Sequence, residues 1–219
     1  MASYKKLDCL ILDFDGVILD SVSVKTEVFH EVFIRYPDVY EKAMAYHRGN
    51  IGLSRYAKFE YLFKDLLKIS DPAHMIKNLS DKFSEMCLKK ICECSFIAGA
   101  VEFLEYFTKK IPIFLLSTTP QKELEEITQM RNLCSFFKKI IGSAQVKSRE
   151  IEAIVINENF IRNNVYYIGD SLFDYKAAQE ARINFIGLNN NFVTFSPDVL
   201  SFRDIKEIKN YINKLVTKC

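Results

Sequence analysis

Apolar residues along the chain follow two rhythms, and the change between them divides the sequence. Near the start, Leu10-Ile11-Leu12 runs into Asp13-Phe14-Asp15-Gly16. An unbroken apolar run of this kind suits a strand buried on both faces, predicted over about 7–14. From 23 to about 36, 39 to 47, 55 to 69 and 72 to about 93, apolar positions recur at helical spacing, with 48–54 as a glycine-bearing loop. Ser70 or Asp71 is expected to cap the last of these helices, with Pro72 at its first position. Past Ile97-Ala98-Gly99 the pattern alternates: helix 100–110, strand 111–116, helix 121–132, strand 139–141, helix 148–159, strand 165–168, helix 175–181, strand 184–188, a short strand 199–202, and helix 204–216 capped by Asp204. Strands separated by helices of this length need right-handed crossovers. The expected fold is therefore α/β, a doubly wound parallel sheet formed by 1–20 and 97–219, with an all-α insertion over 21–96.

Polar residues gather where predicted strands end. Asp13 and Asp15 are two apart, so both carboxylates emerge on one face at the carboxyl end of the first strand, where open parallel sheets do their chemistry. Two acids desolvated together repel, and a cation offsets that cost. Gly16 allows the chain to turn sharply and lets the backbone approach a ligand. At a second strand end, Ser117, Thr118 and Thr119 offer hydroxyls and backbone N–H groups suited to phosphate oxygens. A third carries Gly169-Asp170-Ser171 and, one helical turn on, Asp174, residues that also fit a helix cap. Taken together, the three ends describe a magnesium and phosphate site.

Charge and composition narrow the partners. Among 219 residues, 30 Lys and Arg face 28 Asp and Glu, a net charge of +2 with no long block of either sign. Neither nucleic acid nor a polybasic membrane contact is expected. Lys5 and Lys6 precede an apolar run that Asp13 and Asp15 interrupt, unlike a secretory signal. No stretch approaches the roughly 18 apolar residues of a membrane span, so a cytoplasmic location is expected. The six cysteines have no paired Cys-x-x-Cys spacing and are expected to be reduced; Cys92-Glu93-Cys94 lacks the second pair a metal fragment would need.

The stretch Asp13-Phe14-Asp15-Gly16-Val17-Ile18-Leu19-Asp20-Ser21, followed by Ser117, Lys147 and Gly169-Asp170-Ser171-Leu172-Phe173-Asp174 in this order, resembles the motifs of the haloacid dehalogenase-like hydrolases. Within them it is similar to the phosphoglycolate phosphatase and beta-phosphoglucomutase-like group, whose helical cap follows the first motif. Lys147-Ser148-Arg149 departs from the lysine-proline common in capped relatives, and Lys138 and Lys139 are nearby competitors. The resemblance implies Asp13 as nucleophile and Asp15 as general acid and base. It implies Mg2+ held by Asp13, the Asp15 backbone carbonyl and Asp170, with Ser117 and Lys147 on the phosphoryl oxygens. Asp174 would support metal waters or fix Lys147; Gly16, Thr118 and Ser171 would support the site. The second aspartate sets this pattern apart from dehalogenases, whose halide needs no proton to leave.

The same resemblance assigns substrate choice to the insertion. Gly52, Ser54 and Arg55 match the specificity loop of capped sugar-phosphate members, with His47 and Arg48 beside it, while His30 reads as packing. The expected activity is hydrolysis of a small phosphomonoester (a phosphorylated sugar, polyol or organic acid, surface-polysaccharide precursors included) by a monomer or homodimer. A sugar phosphomutase built on the same core, and a non-catalytic phospholigand-binding protein, are the alternatives.

Overall fold

A computed structural model describes residues 7–216; Lys5, Lys6 and Cys219 lie outside the described residues. The chain divides into two compact units, one of Met1–Asp20 with Ser95–Cys219 and one of Ser21–Cys94.

The first unit is built on six strands: β1 (Cys9–Leu12), β2 (Ile113–Leu116), β3 (Lys139–Ile141), β4 (Val165–Gly169), β5 (Asn184–Leu188) and β6 (Ser201–Phe202). Their order is β3-β2-β1-β4-β5-β6 and every pairing is parallel, with Ile11 opposite Phe114 on one side and Tyr167 on the other. The chain leaves β1 and builds outward to β3, then returns to β4 on the other side of β1. Its strand order therefore reverses between β1 and β4, the place beside whose carboxyl ends open α/β sheets bind their ligands.

The helices of the second unit are α1 (Val22–Phe33), α2 (Tyr40–Gly49), α3 (Arg55–Glu60) and α4 (Ala73–Glu93). Those of the first are α5 (Ala100–Phe107), α6 (Gln121–Met130), α7 (Lys147–Asn157), α8 (Leu172–Glu180) and α9 (Ile205–Val216). None of the described helices is long and apolar enough to cross a membrane.

β1 and β4 are buried along their whole length. Side chains alternate across a strand, so Cys9 and Ile11 of β1 and Val165 and Tyr167 of β4 join one apolar cluster. Ile151, Ile154 and Val155 of α7 and Ala177 and Ala178 of α8 complete it. Fully burying a Val, Leu, Ile or Phe side chain contributes about 1.5–3 kcal/mol, which fixes the register of these strands. That register carries Asp13, the next residue of the Cys9–Ile11 face, to the rim where α7 and α8 begin.

In the helical unit the core is aromatic: Phe29 packs on Phe83 with ring centroids 4.4 Å apart, and on Phe59 at 5.7 Å. The segment expected as one helix over 55–69 is α-helical only through Glu60. It then widens to a π-helical turn over Tyr61–Leu66, and Leu67 N–H donates to the Leu62 carbonyl at 3.0 Å. Lys68 closes it in the left-handed region at φ +57°. No glycine or proline marks the change, so apolar spacing alone carried the helix on. Pro72 itself holds the cap position of α4, and neither Ser70 nor Asp71 caps it by a side-chain bond.

The chain re-enters the first unit at Ser95. Asp20 N–H donates to the Ser95 carbonyl at 2.9 Å, Leu19 bridges to Phe96, and Ile97 N–H donates to the Ile18 carbonyl at 3.0 Å. α8 starts at Leu172 instead of 175 because Ser171 and Asp174 form a reciprocal capping box. Asp204 caps α9 as expected, accepting from Glu207 N–H at 2.8 Å.

Gly142, just past β3, meets the chain entering α6: a Cβ there would lie 2.7 Å from the Thr119 carbonyl and from the Gln121 Cα. Backbone on both sides leaves no room to yield. Gly142→Ala is expected to lower the free energy of unfolding by about 1–3 kcal/mol, the usual cost of overpacking. Urea denaturation followed by circular dichroism checks this, with an unchanged midpoint as the contrary result.

Candidate active site

Asp13 follows directly on β1, and its N–H donates to the Ile168 carbonyl of β4 at 2.9 Å. This extra rung holds its side chain between the two strand ends. Its Oδ1 accepts from Phe14 N–H at 2.8 Å and lies 2.9 Å from Lys147 Nζ. Next comes a tight loop. Gly16 takes a left-handed φ of +77°, and the Phe14 carbonyl accepts from Ile18 N–H at 2.9 Å. Asp15 is half-buried, and its Oδ2 accepts from the Thr119 hydroxyl at 3.2 Å.

Lys147 opens α7 and is buried. An ammonium has three N–H donors, and three acceptors surround this one: Asp13 Oδ1, Asp174 Oδ1 at 2.7 Å and the Tyr167 hydroxyl at 3.0 Å. Tyr167 in turn donates to Asp174 Oδ1 at 2.5 Å. Asp174 Oδ2 accepts from Ser171 N–H at 3.1 Å and the Ser171 hydroxyl at 2.6 Å. Both oxygens of Asp174 are thus taken by donors. Helix capping and lysine holding, rival explanations of Asp174 from sequence, are performed by one carboxylate.

Gly169 makes this possible. Any Cβ there would fall 2.7 Å from Asp174 Cγ, so only glycine lets α8 come so close to β4. Asp170 is buried, and its Oδ2 accepts from the Asn190 amide at 2.8 Å.

Electrostatics follow from this crowding. Burial first, then repulsion from Asp174, raises the pKa of Asp13, and Lys147 offsets only part of it. Asp170 is likewise raised, by burial and then by Asp13 and Asp174. Burial opposes the charge of Asp174 too, but Lys147, Ser171 and Tyr167 outweigh it and leave its pKa lowered. Burial also works against the Lys147 ammonium, and Asp13 and Asp174 prevail to raise its pKa. Among the described residues, three buried carboxylates thus face one ammonium, which binds two of them directly, Asp13 and Asp174.

A divalent cation fits that imbalance. One oxygen from each of Asp13, Asp170 and Asp174 lies within 4.8 Å of the others. Hydrogen bonding separates their roles: among the described residues Asp13 Oδ2 and Asp170 Oδ1 make no hydrogen bond, whereas Asp174 has no oxygen to spare. Asp13 and Asp170 could hold a hard, oxygen-seeking ion such as Mg2+, and Asp174 serves Lys147.

Ser117 is fully buried, and its hydroxyl accepts from Thr119 N–H at 3.1 Å. Of the two threonines it is Thr119, not Thr118, whose hydroxyl reaches Asp15. Lys138 pairs with Glu158 at the surface, and Lys139 is exposed on β3. Tyr167 and Asn190 were not anticipated. A tyrosine inside an apolar strand needs a partner for its hydroxyl, and a run of three asparagines just after a strand end is turn chemistry; both signals were present.

Gly52, Ser54 and Arg55 belong to the helical unit. Ser54 caps α3, accepting from Ala57 N–H at 3.3 Å. Arg55 is buried, donates to the Ser84 hydroxyl at 2.5 Å and lies over the Phe83 ring at 4.7 Å. His47, expected beside the loop, is buried and bonds to Lys58 Nζ at 3.1 Å and to the Thr26 hydroxyl at 3.0 Å. Thr26 spends its proton on the Val22 carbonyl, so His47 carries hydrogen on Nε2 and accepts from Lys58 on Nδ1. Burial, with Lys58 and Arg48 nearby, pushes the His47 pKa down to about 3.

The haloacid dehalogenase-like hydrolase pattern matches residues 10–188. A phosphorylated carbohydrates phosphatase from Thermotoga maritima is 24% identical over 221 residues, covering 96% of this chain and all of the relative. A candidate haloacid dehalogenase-like hydrolase from Bacteroides fragilis superposes with a TM-score of 0.75 at 19% identity, over 93% of this chain and 100% of that one. A candidate beta-phosphoglucomutase from Thermotoga maritima gives 0.68 at 21% identity, over 95% and 99%. These structural likenesses speak to fold, and the family match spans β1 to β5 with every strand end described above. The chain belongs to the haloacid dehalogenase-like hydrolase family.

Proposed function

We propose that the protein is a magnesium-dependent phosphatase of small phosphorylated carbohydrates, acting through a phosphoaspartate on Asp13. The observation that carries this reading is the cluster of Asp13, Asp170 and Asp174 at the switch point of the sheet, with a single ammonium bound to Asp13 and Asp174. Its charge balance suits a dication, and its half-buried neighbour Asp15 supplies a further carboxyl. The 24% identical relative, named for phosphorylated carbohydrates, supports the substrate class.

The ion, held by Asp13, Asp170 and the Asp15 backbone carbonyl, would screen the negative charge of the phosphoryl group and of Asp13. The remaining work falls to the chain. One oxygen of the Asp13 carboxylate attacks phosphorus as the bond to the sugar oxygen breaks, and the Asp15 carboxyl gives its proton to that oxygen. Water then attacks the phosphoaspartate, Asp15 takes the water's proton, and phosphate leaves with Asp13 restored. Lys147, fixed by Asp174 and Tyr167, keeps Asp13 aligned and holds positive charge where the transition state gains negative charge. The Ser117 hydroxyl and the Thr118 N–H receive phosphoryl oxygens. Thr119 orients Asp15 by its hydrogen bond. In this reading the segment of Gly52, Ser54 and Arg55 sets substrate choice.

Asp13→Asn is expected to abolish turnover and phosphoenzyme. Asp15→Asn is expected to slow sugar-phosphate hydrolysis by about 10²–10⁴-fold, the usual worth of general acid and base catalysis. The first half-reaction with nitrophenyl phosphate, whose leaving group needs no proton, should be far less affected. Rapid-quench trapping of the phosphoenzyme checks both; an Asp15→Asn variant equally inert toward both esters would exclude the assignment.

Chelation is expected to remove activity and Mg2+ to restore it. Ca2+ should fail, because it draws more ligands at longer, looser distances. A phosphate-release assay run beside isomer detection reads this and separates hydrolysis from a mutase outcome.

Arg55→Ala is expected to cut turnover of the sugar phosphate by about 10–100-fold, equivalent to roughly 1.4–2.7 kcal/mol, and nitrophenyl phosphate much less. Because Arg55 also packs on Phe83, the unfolding midpoint is measured in parallel. Equal losses on both esters would assign Arg55 to folding alone.

A further inference from the structure

The segment after β5 reads Asn189-Asn190-Asn191-Phe192-Val193 and has no regular secondary structure, yet it is tightly bonded. Asn190 Oδ1 accepts from Phe192 N–H at 2.7 Å and from Val193 N–H at 2.8 Å, and its own N–H donates to the Val193 carbonyl at 3.0 Å. Asn189 Oδ1 accepts from Phe195 N–H at 2.9 Å, and its amide nitrogen donates to the Ser201 hydroxyl at 3.2 Å.

These bonds determine which way the Asn190 amide faces. An oxygen occupied by two backbone donors cannot exchange places with the nitrogen. The NH2 group therefore points at Asp170, 2.8 Å from Oδ2 and 3.5 Å from the backbone carbonyl.

We propose that Asn190 is a positioning residue for metal binding: its amide, locked by the turn, holds Asp170 Oδ2 so that Oδ1 faces the ion. This rests on the reading of the site as a magnesium centre. The chemistry of the donor matters. An ammonium or guanidinium in its position would neutralise Asp170 and compete with the ion, and a carboxylate would repel it. A neutral N–H removes rotational freedom and leaves the negative charge in place. Groups that orient a metal-binding carboxylate in this way are commonly worth 10–100-fold in affinity.

Magnesium titration of the full chain by calorimetry, without substrate, tests this directly. Asn190→Ser keeps a side-chain oxygen short enough to accept from the turn N–H groups but cannot reach Asp170; Asn190→Ala loses both functions. Both should raise the magnesium Kd, by about tenfold. The Mg2+ concentration for half-maximal activity should rise in step, with substrate KM at saturating Mg2+ unchanged. Asn189→Ser, which damages the same loop away from Asp170, should lower the unfolding temperature and leave magnesium affinity as it was.

If Asn190→Ser binds Mg2+ like the wild type while only Asn190→Ala is weakened, the effect belongs to the loop and the proposal falls. It falls equally if Asn189→Ser weakens binding as much. A wild-type chain that binds no Mg2+ would remove the metal reading itself, and this inference with it.

Discussion

The structure depends on holding several like charges out of water at one spot. Asp13, Asp170 and Asp174 are each at most 5% exposed, and burial, with their mutual repulsion added to it, raises the pKa of Asp13 and Asp170. Such a cluster survives only where rigid elements over-determine it. Here β1 and β4, paired along their whole length, supply Asp13 and Asp170 from adjacent strand ends. α7 supplies Lys147 and α8 supplies Asp174, both docked on the same sheet face by Ile151, Ala177 and Ala178. The apolar core beneath is what allows the polar rim above it.

Within the cluster the three acids are not equivalent, and hydrogen bonds make the difference. Asp174 is saturated by Lys147, Tyr167 and Ser171, so it behaves as a fixed structural charge. Asp13 and Asp170 each keep an oxygen outside this network. A search for acidic residues alone would count three candidate ligands; counting donors at each oxygen leaves two carboxylates with an oxygen to offer and identifies the third as the clamp on Lys147.

The alternation of strands and helices, and the acids after β1 and β4, were legible because they follow from local rules: apolar runs, period, and turn chemistry at strand ends. The departures lie where partners are distant in sequence or where no residue type signals the change. Nothing in the sequence 61–66 marks a π-helical turn. Thr119, expected with Ser117 and Thr118 to offer its groups to phosphate oxygens, bonds Asp15 across 104 residues. Arg55, expected to reach toward a ligand, has much of its guanidinium engaged by Ser84 and Phe83 inside its own unit, a long-range packing that helical spacing does not encode. Lys147 differs from Lys138 and Lys139 in directly preceding a stretch of helical spacing, a local signal, whereas its distance to Asp13 depends on how α7 docks on the sheet.

The choice of neutral partners around the cluster completes the argument. Tyr167, Ser171 and Asn190 donate to its carboxylates, and Thr119 to the neighbouring Asp15, without adding charge, and Lys147 alone adds a positive one among the direct contacts described. Had these four been basic, the acids would be balanced internally and their pKa values low, but the site would have little left with which to attract a cation. Had they been apolar, the buried carboxylates would lack donors, and protonation would be the cheaper state. Neutral donors sit between these limits. They make the charged form tolerable while preserving a net negative field, and an incomplete balance of this kind is what a site needs if it is to be finished by an ion.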